Sequence, residues 1–210
     1  MMAHILSTRK VYMNYQPIIK AVAILCCGAA IAMPVQAAFI GSSQITPSTS
    51  LSSIDTFTID QIADGITSDA RPFNGFASDS ASGTIKLGLK QSYNLSGFVL
   101  WNDINVLHEG IANFRLDFFD SLLNPLGSSS TFRGPDNELE PTTFSFAPVN
   151  GVRSVNLVVI DSNVGTFNRI EIREVGFLAV PEPASFGLAA SAIIALLGSR
   201  LRRPRRQTSV

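Results

Sequence analysis

Trp101 closes an apolar run and is followed by Asn102-Asp103-Ile104-Asn105, with His108 and Glu109 a few positions further on. An indole beside amide, carboxylate and imidazole groups has the chemistry of a sugar platform. On that reading the ring of Trp101 would cover the apolar face of a pyranose, and Asn102, Asp103 and His108 would bind its hydroxyls. The same residues also suit a Trp101 packed in a core with a solvated polar loop behind it. A second point of interest is Glu174 in Ile170-Glu171-Ile172-Arg173-Glu174. Strand alternation places it on the side of Ile170 and Ile172, where a carboxylate is costly unless a cation or a hydrogen-bond donor meets it. A bulge that turns Glu174 outward, or an arginine such as Arg153 paired with it, would relieve the same cost. His108 is the one histidine between residues 38 and 180, which excludes a multi-histidine metal site.

Nothing in the residue spacing selects a catalytic machine. The chain carries no Gly-x-Ser-x-Gly elbow, no cysteine nucleophile in the exported part, no phosphate-cradling glycine loop and no histidine cluster. Fifteen carboxylates between Ala38 and Val180 could supply a pair for glycoside hydrolysis, but no spacing singles out two of them. Asp117 and Asp120 straddle a strand end and read as solvating groups. The acidic stretch Ser128 to Thr143, with Asp136, Glu138 and Glu140, reads as a solubilising loop.

The formal net charge of zero conceals an uneven distribution. Between Ala38 and Val180 there are eight Lys plus Arg against those fifteen Asp plus Glu, a net of −7. An acidic domain lacks the basic face of a nucleic-acid binder. Both cysteines, Cys26 and Cys27, fall in an apolar segment near the N-terminus. The remainder must therefore be held by its core, or by a metal, without a disulfide.

The elements that would position these side chains are short and strand-like. Alternating or β-branched stretches run over Thr56 to Ile62, Thr84 to Leu89, Leu95 to Trp101, Asn113 to Asp120, Thr142 to Ala147, Ser154 to Asp161 and Ile170 to Phe177. Turn residues such as Asn74-Gly75, Ser82-Gly83, Gly134-Pro135 and Asn150-Gly151 separate them. Phe39 to Ser53 reads as a Ser- and Thr-rich surface lead-in. The fold class is all-β, an antiparallel β-sandwich or jelly roll. Phe114, Leu116 and Phe118 line one inner face, and Phe144 and Phe146 line another.

The order of segments in this region resembles the discoidin-like, or coagulation factor 5/8 type C, group of galactose-binding-like jelly rolls. The matching pieces are Ile62-Ala63-Asp64-Gly65, Thr84 to Leu89 with Leu95 to Leu100, Phe114 to Asp120, Val152 to Leu157 and Ile170 to Phe177. No tryptophan follows the Asp-Gly segment, where many relatives carry one. The resemblance implies a structural calcium ion held by the Asp-Gly loop and a glutamate of the last strand. Its matching ligands here are Asp64, Ser68, Asp69 and Glu174.

The ends of the chain read as addresses. Residues 1–37 have the make-up of a secretory signal peptide: Arg9, Lys10 and Lys20 precede an apolar stretch from Ala21 to Met33, and Val35-Gln36-Ala37 places small residues at a cleavage site after Ala37. Export would pass through the Sec pathway and signal peptidase, leaving residues 38–179 as the exported domain. At the other end, Pro181-Glu182-Pro183 precedes an uncharged run and then five arginines between Arg200 and Arg206. From Ala184 to Ser199 that run would span roughly 24 Å as a helix, a borderline crossing of a ~30 Å hydrocarbon core. The arginines favour its cytoplasmic side.

Residues 180–206, with a transmembrane helix over 186–198, resemble the PEP-CTERM sorting signal of Gram-negative, exopolysaccharide-producing bacteria. That resemblance implies recognition by an exosortase near the Pro-Glu-Pro, and membrane attachment before release to the cell surface or extracellular matrix. The combined expectation is a non-catalytic exported protein whose jelly roll binds carbohydrate, with exopolysaccharide as the partner. A purely structural matrix protein and a small glycoside hydrolase are the alternatives.

Overall fold

A computed structural model describes residues 37–165 and 167–180. All but Ala37 of the expected signal peptide over residues 1–37, the Pro181-Glu182-Pro183 motif and the apolar run 186–198 lie outside the described residues. Among the described residues no helix is long and apolar enough to cross a membrane.

Nine antiparallel strands form one continuous hydrogen-bonded sheet folded onto itself: β1 Ala38–Ile40, β2 Ile45–Thr49, β3 Phe76–Ser78, β4 Gly83–Asn102, β5 Ile111–Phe119, β6 Pro125–Ser128, β7 Phe132–Arg133, β8 Thr142–Ser162 and β9 Ile170–Ala179. The order is β1-β9-β4-β8-β5-β6, with β2 beside β4, β3 beside β9 and β7 beside β5. The all-β sandwich read from the sequence is the observed fold.

Two long strands make the sandwich. The first part of β4, Gly83 to Gly88, pairs with the second part of β8, while Leu95 to Leu100 pairs with β9 and with the first part of β8. Register shifts between Gly88 and Gly97 mark where the ladder bends from one layer to the other. Four stretches expected as separate strands are therefore halves of two. Gly151, at φ 72°, lets β8 turn this corner without a hairpin, in a conformation that costs other residues about 1–2 kcal/mol.

Two further expectations are corrected. Thr56 to Ile62 is not a strand: Ile59–Ala63 forms a 3-10 turn with Ile62 fully buried. Three residues per turn place Ile59 and Ile62 on one face, and that face covers the core. The lead-in from Phe39 to Ser53 contains β1 and β2. Pro47 is tolerated because β2 pairs on one side only, along β4.

Where the layers meet, aromatic rings fill the interior. Phe114 meets Phe144 edge-on at 5.0 Å, and Phe98 contacts Phe177 at 5.4 Å. Phe118 lies 5.1 Å from Phe146, so the two predicted inner faces pack together. Each fully buried ring contributes about 1.5–3 kcal/mol, which is how a domain without cysteines holds its shape.

Candidate functional site

At one end of the sandwich, where β4 finishes, β5 and β9 begin and β8 finishes, three loops surround an open cavity of about 520 Å³. Its walls carry His108, Asn113, Arg133, Asp136, Asp161, Ser162, Asn163, Val164 and Asn168. Carbonyls and amides just beneath hold the loops in place. The Asn102 side chain imitates a strand: its amide donates to the carbonyls of Ile111 and Pro135, and its oxygen accepts from the Ile111 N–H at 2.9 Å. Asn163 donates to the carbonyls of Glu109 and Pro135 from the other side. Gly134 is needed for this close approach, since a Cβ there would sit 2.2 Å from the Ile111 carbonyl oxygen.

At the rim, His108 and Asp136 join two loops twice. The His108 N–H donates to the Asp136 carbonyl at 2.8 Å, and Nδ1 lies 3.0 Å from Asp136 Oδ1. Asp103 and His108 both adopt left-handed backbone conformations, φ 63° and 67°, within one loop. Such residues cost of order 1–3 kcal/mol and persist where the surroundings dictate them. Across the cleft Asp161 accepts from the backbone and side chain of Asn113, leaving Arg133 exposed on the wall.

Beneath the loops lies a buried acidic cluster. Asp103 is fully buried and neither of its carboxylate oxygens has a partner among the described residues. Burial first, and then the charges of Glu171 and Glu109, push its carboxyl up to about 8. Burial and Glu171 likewise raise Glu109, while Arg169 opposes them. Arg169 bridges Glu109 and Glu171, and its guanidinium also lies 4.4 Å over the Phe167 ring.

The sequence-derived platform is thus divided. His108 lines the cleft; Asn102 and Asp103 lie buried beneath it as supports. Trp101 points to the outer face of β4, where it is half-buried and meets exposed Phe39 edge-on at 6.4 Å. Arg133, Asp136, Asn163 and Asn168 were not singled out as site residues. Asp136 reads as part of a solubilising loop, and the seven-residue connection between β8 and β9, with two asparagines flanking Gly165, is the signal that points to Asn163 and Asn168.

The second predicted site needs a correction in geometry. Trp101 pairs with Glu174 but Asn102 with Ile172, so Arg173 is an extra residue in β9. Ile170 and Ile172 before it, and Val175 and Phe177 after it, all enter the core. Glu174 therefore does not share the face of Ile170 and Ile172. It is nonetheless buried, under the turn that follows Ile59–Ala63, and its Oε2 accepts from the Gly65 N–H at 3.2 Å. Burial pushes its carboxyl up to about 8; the Gly65 N–H opposes this and the Asp64 charge adds to it.

Asp64 accepts from the Ile66 N–H and from the Asn74 amide, and Ser68 caps the N–H of Ala70. Asp69 contributes charge toward Arg173. Among the described residues no ion pair reaches Glu174, from Arg153 or any other cation. No group of three or more His, Cys, Asp or Glu side chains is gathered for a metal among them either.

No protein-family model matches the chain, and no curated protein matches it. Solved structures do. The family 32 carbohydrate-binding module of NanJ from Clostridium perfringens, in complex with galactose, is 13% identical with a TM-score of 0.54, covering 68% of this chain and 98% of that one. A family 32 module from a family 31 glycoside hydrolase of Clostridium perfringens is 14% identical with a TM-score of 0.57, covering 67% and 94%. The F5/8 type C domain of a Bacteroides fragilis protein is 10% identical with a TM-score of 0.50, covering 70% and 99%. The described domain has the discoidin-like jelly-roll fold shared by F5/8 type C domains and family 32 carbohydrate-binding modules.

Proposed function

We propose that the domain binds carbohydrate without transforming it, through the cleft walled by His108, Arg133, Asp136, Asn163 and Asn168. The observation that carries this is the cleft itself: an open cavity of about 520 Å³ lined by donors and acceptors on braced loops. Hydroxyl-rich ligands need paired donors and acceptors at fixed spacing, and loops held by Asn102 and Asn163 supply them. Structures of the same fold are named as carbohydrate-binding modules, one of them with galactose bound.

The export and sorting signals read from the sequence complete the proposal. The protein is exported by the Sec pathway, sorted by an exosortase and displayed at the cell surface or in the extracellular matrix, where exopolysaccharide is its ligand. Mass spectrometry of the mature protein tests this half: a C-terminus near Pro183 supports it, and an intact C-terminus removes the exosortase.

A glycan array that includes galactosides and purified exopolysaccharide tests the ligand, read with wild type, Arg133→Ala and Trp101→Ala. Losing one charged hydrogen-bond donor costs about 1.5–3 kcal/mol, so Arg133→Ala should weaken binding by roughly 10–100-fold while Trp101→Ala binds normally. The reverse pattern would move the site to exposed Phe39 and half-buried Trp101. No binding by the folded wild type would leave the purely structural reading, and turnover of a glycan would establish the hydrolase.

A calcium ion fits the turn in part. Asp64 and Glu174 would hold it, because Glu174 is a buried carboxylate with no cationic partner beside a second carboxylate. Ser68 and Asp69 remain its proposed neighbours from the same turn. A bound ion would hold the buried Glu174 carboxylate ionised and pin the turn to β9.

A further inference from the structure

We infer that Arg173 is a positioning residue that clamps three loops together and so fixes the wall of the cleft. It is buried, at 3% exposure, and each of its three side-chain nitrogens donates to a carbonyl on a different loop. Nε reaches the Asp103 carbonyl at 3.2 Å, Nη1 that of Thr67 at 2.9 Å and Nη2 that of Leu139 at 2.6 Å. No regular strand pairing connects these loops, so the guanidinium stands where a ladder would.

The bulge makes this possible. Successive residues of a regular strand point to opposite faces. As the extra residue in β9, Arg173 reaches the same turn as its neighbour: Glu174 binds the Gly65 N–H while Arg173 binds the Thr67 carbonyl. The other two carbonyls belong to the loops that carry His108 and Asp136, and these loops meet again at the rim through that pair. Arg173 thus closes the base of the wall, and His108 with Asp136 closes its top. A guanidinium spreads its donors over three separate nitrogens in one rigid plane, whereas a lysine ammonium carries its three N–H groups on a single nitrogen and cannot span the three carbonyls.

The effect on ligand affinity rests on the carbohydrate reading, whereas the clamp itself does not. Amide hydrogen exchange of the full-length chain separates the two. In Arg173→Gln, segments 64–70, 103–110 and 134–141 should exchange at least tenfold faster together, with the β5–β8 ladder unchanged. Arg173→Lys keeps the charge and should show the same three-segment rise even if Arg173→Gln fails to fold. In the lysine variant the His108 ring resonances should also shift, as the contact with Asp136 loosens, and the affinity for the best-binding galactoside should fall at least tenfold.

If Arg173→Lys matches wild type in all three segments, or if exchange rises in one segment only or throughout the domain, the clamp is overturned. If the three segments respond but the wild type binds no sugar, the clamp stands and the carbohydrate reading falls.

Discussion

Asp103 shows how one residue's chemistry depends on what surrounds it. In the sequence it is a carboxylate beside a tryptophan; in the fold it is a buried acid with both oxygens unpartnered and Glu109 and Glu171 nearby. Its carboxyl is raised from the ordinary 3.8 to about 8. In the native state it keeps its proton up to that pH, whereas the unfolded chain releases it above about 4. The unfolded state then binds fewer protons than the native state, so stability falls as pH rises. The contribution is full below about pH 4, declines between about 4 and 8, and changes no further above that. Thermal melts across this window should show Tm falling with pH in wild type and a shallower slope in Asp103→Asn, which stays neutral throughout. Equal slopes in the two proteins would show that the Asp103 carboxyl is not raised in the native state.

At the scale of elements, the turn 64–70 and β9 form a unit whose stability should depend on a cation. Buried Glu174 accepts from the Gly65 N–H, and the charge of neighbouring Asp64 acts on it. Anything that binds only the folded state stabilises it by mass action, about 2.7 kcal/mol at a hundredfold excess over Kd. Chelation should therefore lower the Tm of wild type and leave Glu174→Gln unmoved; identical melting curves with and without chelator would remove calcium from the turn.

The same unit shows what the sequence could convey about the fold and the site. Strands with strict alternation, such as Asn113 to Asp120, were legible because one face is buried and the other wet. The face of Glu174 was not, since alternation carries through a strand only until a bulge resets it, and the bulge at Arg173 is set by pairing with β4. Strand β2 was hidden by its Thr, Pro and Ser, which edges tolerate, and β1 by being only three residues long. Of the cleft, His108 was legible as a polar group near a strand end. Arg133, Asp136 and Asn163 come together only through β5–β7, β5–β8 and loop contacts far apart in sequence.

For the whole molecule, the two ends of the described chain and the cleft lie at opposite ends of the sandwich. Ala38 pairs with Ala179, and the Val180 N–H donates to the Asn94 carbonyl, so both ends of the described chain lie at one edge. The cleft lies beyond the other end of β9, at Asn168. Ten residues of strand at about 3.3 Å each separate the two by about 30 Å. A domain tethered through Val180 therefore has its cleft at the far end. Protein immobilised through a C-terminal tag should bind the best galactoside with its solution affinity. Protein coupled through Val164→Cys, in a Cys26→Ser, Cys27→Ser background, should lose most of its capacity, because Val164 is 85% exposed on the cleft wall. Equal capacity in the two orientations would mean that the ligand enters elsewhere. The outer face at Phe39 and Trp101 would then be the surface to mutate.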